Sequence, residues 1–146
     1  MKFPGKQNSK MEAQDIVNKM MEGDYFSQWL GIKVLDLKPG SCLLKMTIKK
    51  DMLNGFGIAH GGITYSLADS ALAFASNSKG KKSVSIETSI SHIISLKEGD
   101  DISAEAHCET ETDKLGHYAI KVFLTHDPDK VCALFKGIVY KTSKDW

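Results

Sequence analysis

Two glycines and one aspartate in the middle of the chain could together polarise a carbonyl group and accept a proton. Gly61 and Gly62 precede an apolar segment, and Asp69 is the only charged residue from position 61 to position 78. The first amides of a helix have no partner within the helix, so they can hold an oxyanion or polarise a carbonyl group. Glycine permits close approach to the backbone. A carboxylate in an apolar element must be paired, hydrogen-bonded or functional, because its burial is costly.

The spacing of these residues leaves two interpretations open. Gly61 and Asp69 are separated by about 12 Å along a helix. That distance is too great for both groups to act on one small reacting centre. Either the two are unrelated, with Asp69 exposed or bonded to a neighbouring serine, or Asp69 meets Gly61 of a second chain across a symmetric interface. The second interpretation predicts a dimer with two shared sites.

The surrounding sequence predicts the helices that position these residues. Segment 61–78 is rich in alanine, contains no proline and is too long for a typical strand, which predicts a helix. Its lack of a charged face predicts that the rest of the fold wraps around it. A shorter amphipathic helix is predicted at 11–22, and residues 1–10 are expected to be frayed.

Alternating apolar and polar residues predict six strands, two before the long helix and four after it. The four later strands are expected to pair in sequence order as a meander, with turns at 99–100, 115–116 and 127–129. Strands arranged around one buried helix indicate an α+β fold with a largely antiparallel sheet. We predict a helical extension at 1–24 and one domain at 25–146.

The composition disfavours several classes of protein. The chain has 146 residues, of which 42% are hydrophobic, and 19 basic residues, all lysine, nearly balance 18 acidic ones. These values favour a single globular domain and disfavour a nucleic-acid binder. No apolar run approaches the roughly 18 residues of a membrane span, and we expect no secretory signal. Cys42, Cys108 and Cys132 lack the spacing of a disulfide framework, which predicts free thiols in the cytoplasm.

Metal and serine chemistry are not indicated by the sequence. The histidines outside the central loop are scattered without metal-ligand spacing, and we expect each to be structural or exposed. They are His92, His107, His117 and His126. No serine lies in a G-x-S-x-G motif, which disfavours a serine hydrolase.

Asn54, His60-Gly61-Gly62 and Asp69, at these spacings, resemble the motif of hot-dog-fold acyl-CoA thioesterases of the phenylacetic-acid-degradation (PaaI-like) type. The likeness covers roughly residues 25–142 and includes the strand order and the length of the helix. It implies a hot-dog fold, an antiparallel sheet of about six strands wrapped around one long central helix. It also implies hydrolysis of an aryl- or medium-chain acyl-CoA to a free acid and coenzyme A.

The resemblance further implies roles for individual residues. The Gly61 amide polarises the thioester carbonyl, and Asp69 of the partner chain acts as general base or as nucleophile. Asn54 orients water or the thioester, while His60 braces the loop. The residues expected to bind the substrate are Gly62, Ser85, Phe56, Tyr65 and Lys97, the last near the coenzyme A phosphates. No metal or separate cofactor is expected, and the assembly is predicted to be a homodimer that pairs into a homotetramer.

Two alternative functions remain compatible with the same residues. A hot-dog dehydratase acting on a β-hydroxyacyl thioester would pair a histidine with a carboxylate, for which His60 and Asp69 are candidates. A non-catalytic module would bind acyl-CoA without turning it over. Release of free coenzyme A distinguishes a hydrolase from both.

Overall fold

A six-stranded antiparallel sheet surrounds one long helix in the structure, a computed structural model that describes residues 10–146. The helices are α1 (Ala13–Gly23), α2 (Tyr25–Leu30) and the central α3 (Gly61–Asn77), and a short 3-10 helix spans Lys50–Met52. The strands are β1 (Lys33–Lys38), β2 (Ser41–Thr47), β3 (Lys81–His92), β4 (Asp101–Glu111), β5 (Leu115–Leu124) and β6 (Asp127–Asp145).

The predicted burial of the long helix is confirmed. Leu67, Ala68, Ala71 and Leu72 of α3 have no exposed surface, and burial of each leucine contributes about 1.5–3 kcal/mol. The helix packs tightly against the sheet at Gly137 of β6. A Cβ added there would lie 2.4 Å from Cδ2 of Leu72, so this contact requires glycine.

The order of the strands in the sheet is β1-β2-β4-β5-β6-β3. Strands β4, β5 and β6 form a meander, but β3 pairs with β6 at the sheet edge. The predicted four-strand meander is therefore wrong. The chain between β3 and β4 passes beside the loop that leads into α3, where Leu96 is buried and its carbonyl accepts a hydrogen bond from the Ala59 amide at 2.8 Å. Alternation identifies a strand but does not specify its partner.

Two of the predicted turns lie elsewhere along the chain. The reversal between β4 and β5 is at residues 113–114, and residues 115–116 already belong to β5. The reversal between β5 and β6 is at residues 125–126, so residues 127–129 begin β6 instead of forming the turn. Pro128 is tolerated in this strand because the register of β5 and β6 is irregular at that end.

A short helix, α2, lies between α1 and β1, where the sequence predicted none. Phe26, Trp29 and Leu30 belong to α2, which the sequence did not separate from the following strand. The Asp24 carboxylate accepts a hydrogen bond from the Ser27 amide at 2.9 Å and so caps the helix. This cap allows a second helix to begin directly after α1 ends.

The predicted short helix near the N-terminus is confirmed as α1, which buries Ile16 and Val17. The domain boundary at residue 24 stays a prediction. The expected fraying of 1–10 concerns residues that, except for residue 10, lie outside the described range. Within that range, no helix combines the length and apolar character needed to cross a bilayer.

Candidate active site

The N-terminus of α3 borders a cavity of about 240 Å³. Its lining includes Asn54, Gly61, Thr64 and His92, with further walls from residues 93–96. Among residues 10–146, the Gly61 amide has no hydrogen-bond acceptor. An unpaired N–H at the positive end of a helix can polarise a carbonyl oxygen or hold an oxyanion. We call this the Gly61 cavity.

His60 is the N-cap residue of α3 and determines which amide is left unpaired. Its Nδ1 accepts a hydrogen bond from the Gly62 amide at 2.9 Å. Its own amide donates to the Met52 carbonyl at 2.8 Å, which fixes the approach of the loop to the helix. A neutral imidazole that accepts through Nδ1 carries its proton on Nε2. The Gly62 amide is therefore satisfied, while that of Gly61 remains available.

Asn54 organises the loop that precedes the helix. Its Oδ1 accepts hydrogen bonds from the amides of Phe56 at 2.9 Å and Ile58 at 3.4 Å, and its own amide donates to the Ile58 carbonyl at 2.8 Å. The side-chain amide nitrogen has no acceptor within the described part of the chain. Because Asn54 lines the Gly61 cavity, this nitrogen can donate to a water molecule or a carbonyl group there.

Asp69 lies further along α3, in a separate groove of about 440 Å³. Ser85 and Met20 are among the residues that share this groove with it. Burial raises the pKa of the Asp69 carboxyl, and the negative charge of Asp24 raises it further. No lysine or histidine of residues 10–146 forms an ion pair with it. A desolvated carboxylate without a cationic partner is suited to accept a proton.

One chain therefore holds the amide and the acid in different cavities. The helix is continuous from Gly61 to Asn77, so the separation of about 12 Å expected between Gly61 and Asp69 holds along its axis. Asp69 does not line the Gly61 cavity, and Gly61 does not line the Asp69 groove. Each cavity contains only one of the two groups that a hydrolytic site would need.

Sequence similarity identifies the family of this chain. The profile of the thioesterase superfamily matches residues 56–131. The acyl-coenzyme A thioesterase PaaI of Escherichia coli is 34% identical over 126 residues, covering 86% of this chain and 89% of that protein. The chain belongs to the thioesterase superfamily.

Solved structures related to this thioesterase have the same fold. The E. coli PaaI protein from the phenylacetic acid degradation operon matches with a TM-score of 0.87 and 31% identity, covering 91% of this chain and 95% of that chain. A variant of the phenylacetic acid degradation protein PaaI of Thermus thermophilus matches with a TM-score of 0.77 and 34% identity, covering 82% and 100%. The predicted α+β hot-dog fold and the predicted thioester hydrolase are confirmed.

Two of the residues predicted to bind substrate in this thioesterase line cavities. Ser85 lies in the Asp69 groove. Lys97 lines a third cavity of about 480 Å³, together with Lys130. This third cavity adjoins the Gly61 cavity, because both are lined by Ile58 and residues 94–96.

The other three residues predicted to bind substrate lie outside these cavities in the single chain. The Gly62 amide is engaged by His60. The Tyr65 hydroxyl shares a hydrogen bond of 2.6 Å with the Thr88 hydroxyl, and its ring packs against the core. The side chain of Phe56 is 90% exposed. Contact of these residues with a thioester stays a prediction.

The structure adds Thr64 and His92 to the candidate site, since both line the Gly61 cavity. A Cβ added to Gly61 would lie 3.1 Å from Nε2 of His92, so the imidazole packs directly on this glycine. The sequence does not indicate this contact, because the two residues are far apart along the chain. The only available signal was the position of His92 at the end of the strand that follows the helix.

Proposed function

We propose that this thioesterase hydrolyses acyl-CoA to a free acid and coenzyme A at sites that are each built from two chains. The observation that carries the proposal is the division of the Gly61 amide and the Asp69 carboxylate between two cavities of one chain. A thioester carbonyl is already electrophilic and its thiolate leaves readily. Hydrolysis therefore needs a polarised carbonyl, a positioned water molecule and a base.

The exposed edge of β3 supports a site shared between two chains. This strand pairs with β6 on one side only, and its Val84 and Ile86 are 56% and 59% exposed. A long edge strand with exposed apolar residues is a template for pairing with another strand. Antiparallel pairing across a two-fold axis places the beginning of one β3 beside the end of the other. Ser85, beside the Asp69 groove, would then approach His92, beside the Gly61 cavity of the other chain.

The reaction follows from these positions. The Gly61 amide donates to the carbonyl oxygen as negative charge develops there, and Asn54 orients the attacking water. Asp69 of the partner subunit takes a proton from this water while its oxygen bonds to the carbonyl carbon. The carbon–sulfur bond then breaks, and the thiolate leaves and is protonated. If Asp69 instead acts as the nucleophile, its oxygen displaces the thiolate and water hydrolyses the resulting anhydride.

The third cavity and the Asp69 groove suit the two ends of an acyl-CoA. Lys97 and Lys130 line the third cavity and can attract the phosphates of coenzyme A. Met20 and Val84 give the Asp69 groove apolar walls for the acyl group. An aryl-acetyl or medium-chain acyl group is proposed, with support from relatives named for phenylacetic acid degradation. The proposal requires no metal and no cofactor beyond the coenzyme A of the substrate.

We place the enzyme in the cytoplasm as a homotetramer of paired dimers. Cys42, Cys108 and Cys132 are free thiols, which is typical of a reducing compartment. On β6, Leu134 and Tyr140 are 50% and 39% exposed, and their apolar surface favours a second contact between dimers. Light scattering of the purified protein measures whether its mass corresponds to two chains or to four.

A thiol-release assay tests the proposed activity. Incubation with phenylacetyl-CoA and a thiol reagent is expected to release one thiol and one carboxylic acid for each thioester consumed. Conversion of a 3-hydroxyacyl-CoA to an enoyl-CoA without thiol release would indicate a dehydratase instead. Tight binding without turnover across a panel of aryl and medium-chain acyl-CoAs would indicate a binding module. Either of these results contradicts the proposal.

Mixing two inactive variants tests whether the site is shared. Asp69→Asn removes the base and Gly61→Pro removes the amide donor, so a mixed dimer has one site with both defects and one intact site. Random reassociation is expected to restore about a quarter of the wild-type activity. As the control, each variant is taken alone through the same steps of dissociation and reassociation. Activity that stays at the level of the separate variants would contradict a shared site.

A further inference from the structure

We infer that His92 supplies a second hydrogen-bond donor to the thioester carbonyl oxygen, beside the Gly61 amide. The inference rests on the proposed function and adds a residue to its site. Two observations lead to it. The imidazole packs on Gly61, with Nε2 at 3.1 Å and Cε1 at 3.4 Å from the position of an added Cβ. His92 and Gly61 also line the same cavity.

The two nitrogens lie close enough to bond one oxygen between them. A Cβ and the backbone nitrogen of the same residue are joined through only two covalent bonds. Nε2 of His92 is therefore no more than about 5.6 Å from the Gly61 nitrogen. Two N–H donors at this separation can each reach a shared oxygen at about 2.9 Å. The oxyanion of a tetrahedral intermediate accepts more than one such bond.

His92 is placed for this role, whereas His60 is not, because His60 does not line the Gly61 cavity. His60 already accepts a hydrogen bond from the Gly62 amide. Neither ring nitrogen of His92 has a hydrogen-bond partner within residues 10–146, and its side chain is exposed. The backbone of His92 is held opposite Ala133 of β6 in the sheet. A donor carried by a paired strand keeps its position better than one carried by a loop.

Two substitutions of His92 have opposite expected effects on activity, depending on whether the imidazole donates a hydrogen bond or only packs against Gly61. If the imidazole only covers Gly61, the ring is what matters, and His92→Phe preserves it. If the ring supplies a donor, the N–H is what matters, and His92→Gln preserves an amide donor near the position of Nε2. The two variants therefore distinguish a hydrogen-bonding residue from a packing residue.

Steady-state kinetics of the full chain with phenylacetyl-CoA provide the first test. His92→Phe is expected to lower kcat by about 10- to 100-fold with little change in KM, because a lost donor acts mainly in the transition state. His92→Gln is expected to retain most of kcat. A wild-type kcat in His92→Phe, or a loss in His92→Gln as large as in His92→Phe, overturns the inference. Thermal unfolding of both variants checks that they remain folded.

Infrared spectroscopy provides a second test that does not require turnover. The probe is the non-hydrolysable amide analogue of phenylacetyl-CoA with a ¹³C-labelled carbonyl. In His92→Phe the bound carbonyl stretch is expected at higher frequency than in wild type, because one polarising donor is lost; His92→Gln is expected to retain the wild-type frequency. Equal frequencies in wild type and His92→Phe overturn the inference. A wild-type protein that binds the analogue but hydrolyses no thioester overturns the proposed function. In that case the difference in carbonyl frequency between wild type and His92→Phe still shows whether His92 donates to the carbonyl.

Discussion

Replacing Asp69 with asparagine is expected to lower kcat for acyl-CoA hydrolysis by about 10²–10⁴-fold while KM changes little. The side-chain amide has the size of the carboxyl group but cannot take a proton from water. The Asp69 groove should therefore keep its shape and its affinity for the acyl group while the chemical step fails. Measuring kcat and KM separately with phenylacetyl-CoA distinguishes this from a binding defect.

A surface acid provides the control for Asp69. Asp113 lies in the exposed turn between β4 and β5, so Asp113→Asn makes the same chemical change away from both cavities. Its kcat is expected to equal that of the wild type. If Asp69→Asn also hydrolyses thioesters at the wild-type rate, the base has been assigned to the wrong residue, even though the family is established.

Replacing Asp69 with asparagine is also expected to stabilise the fold at neutral pH. Burial, and then the charge of Asp24, raises the pKa of Asp69 in the folded state. The folded protein therefore holds this proton more tightly than the unfolded chain. The resulting stability is present below the unfolded pKa and is lost as the pH rises through the folded pKa. Thermal unfolding should show a higher Tm for Asp69→Asn at neutral pH, with the difference shrinking in acid.

The pH dependence of turnover follows from the same carboxyl group. The base must be ionised before it can accept a proton, so the wild-type kcat is expected to rise with pH through the raised pKa of Asp69. Asp113→Asn should keep this profile. A wild-type kcat that falls over the same range would contradict the assignment of Asp69 as the base.

The central helix could be predicted from the sequence because its signals are local. Alanine content, the absence of proline and the single charge at Asp69 all lie within one segment, and the predicted 61–78 agrees closely with Gly61–Asn77. Its burial followed from the same lack of a charged face. The motif that contains Gly61 and Asp69 also lies within this segment and the loop before it. This is why the central motif of the candidate site could be proposed before the fold was known.

The contacts of β3 could not be predicted in the same way. The alternation of apolar and polar residues in a strand is the same whichever strand it pairs with. The sequence of β3 therefore did not specify its pairing with β6. The contact of His92 with Gly61 depends on that pairing, because the pairing holds the end of β3 beside the start of α3. The residue pattern alone also did not specify which of the first two helix amides stays unpaired, because that depends on the direction of the His60 ring; the family resemblance indicated Gly61.

Replacing Gly61 with proline is expected to lower kcat by about 10²–10³-fold more than replacing it with alanine. Proline has no N–H, and it is favoured at the first position of a helix, where the amide has no helical partner. His60 has φ −59° and ψ 135°, the extended backbone that a residue before proline prefers. The helix is therefore expected to form in the proline variant, which thermal unfolding can verify.

Alanine is the matched control because both substitutions add a Cβ at the same place. That carbon would lie 3.1 Å from Nε2 of His92 in either variant, so the imidazole is crowded similarly in both. The ratio of the two kcat values therefore reports the loss of the N–H at position 61 together with the proline Cδ that replaces its hydrogen. Equal kcat values would mean that this amide does not touch the reacting carbonyl. Slow turnover in both variants would then be explained by displacement of His92 alone.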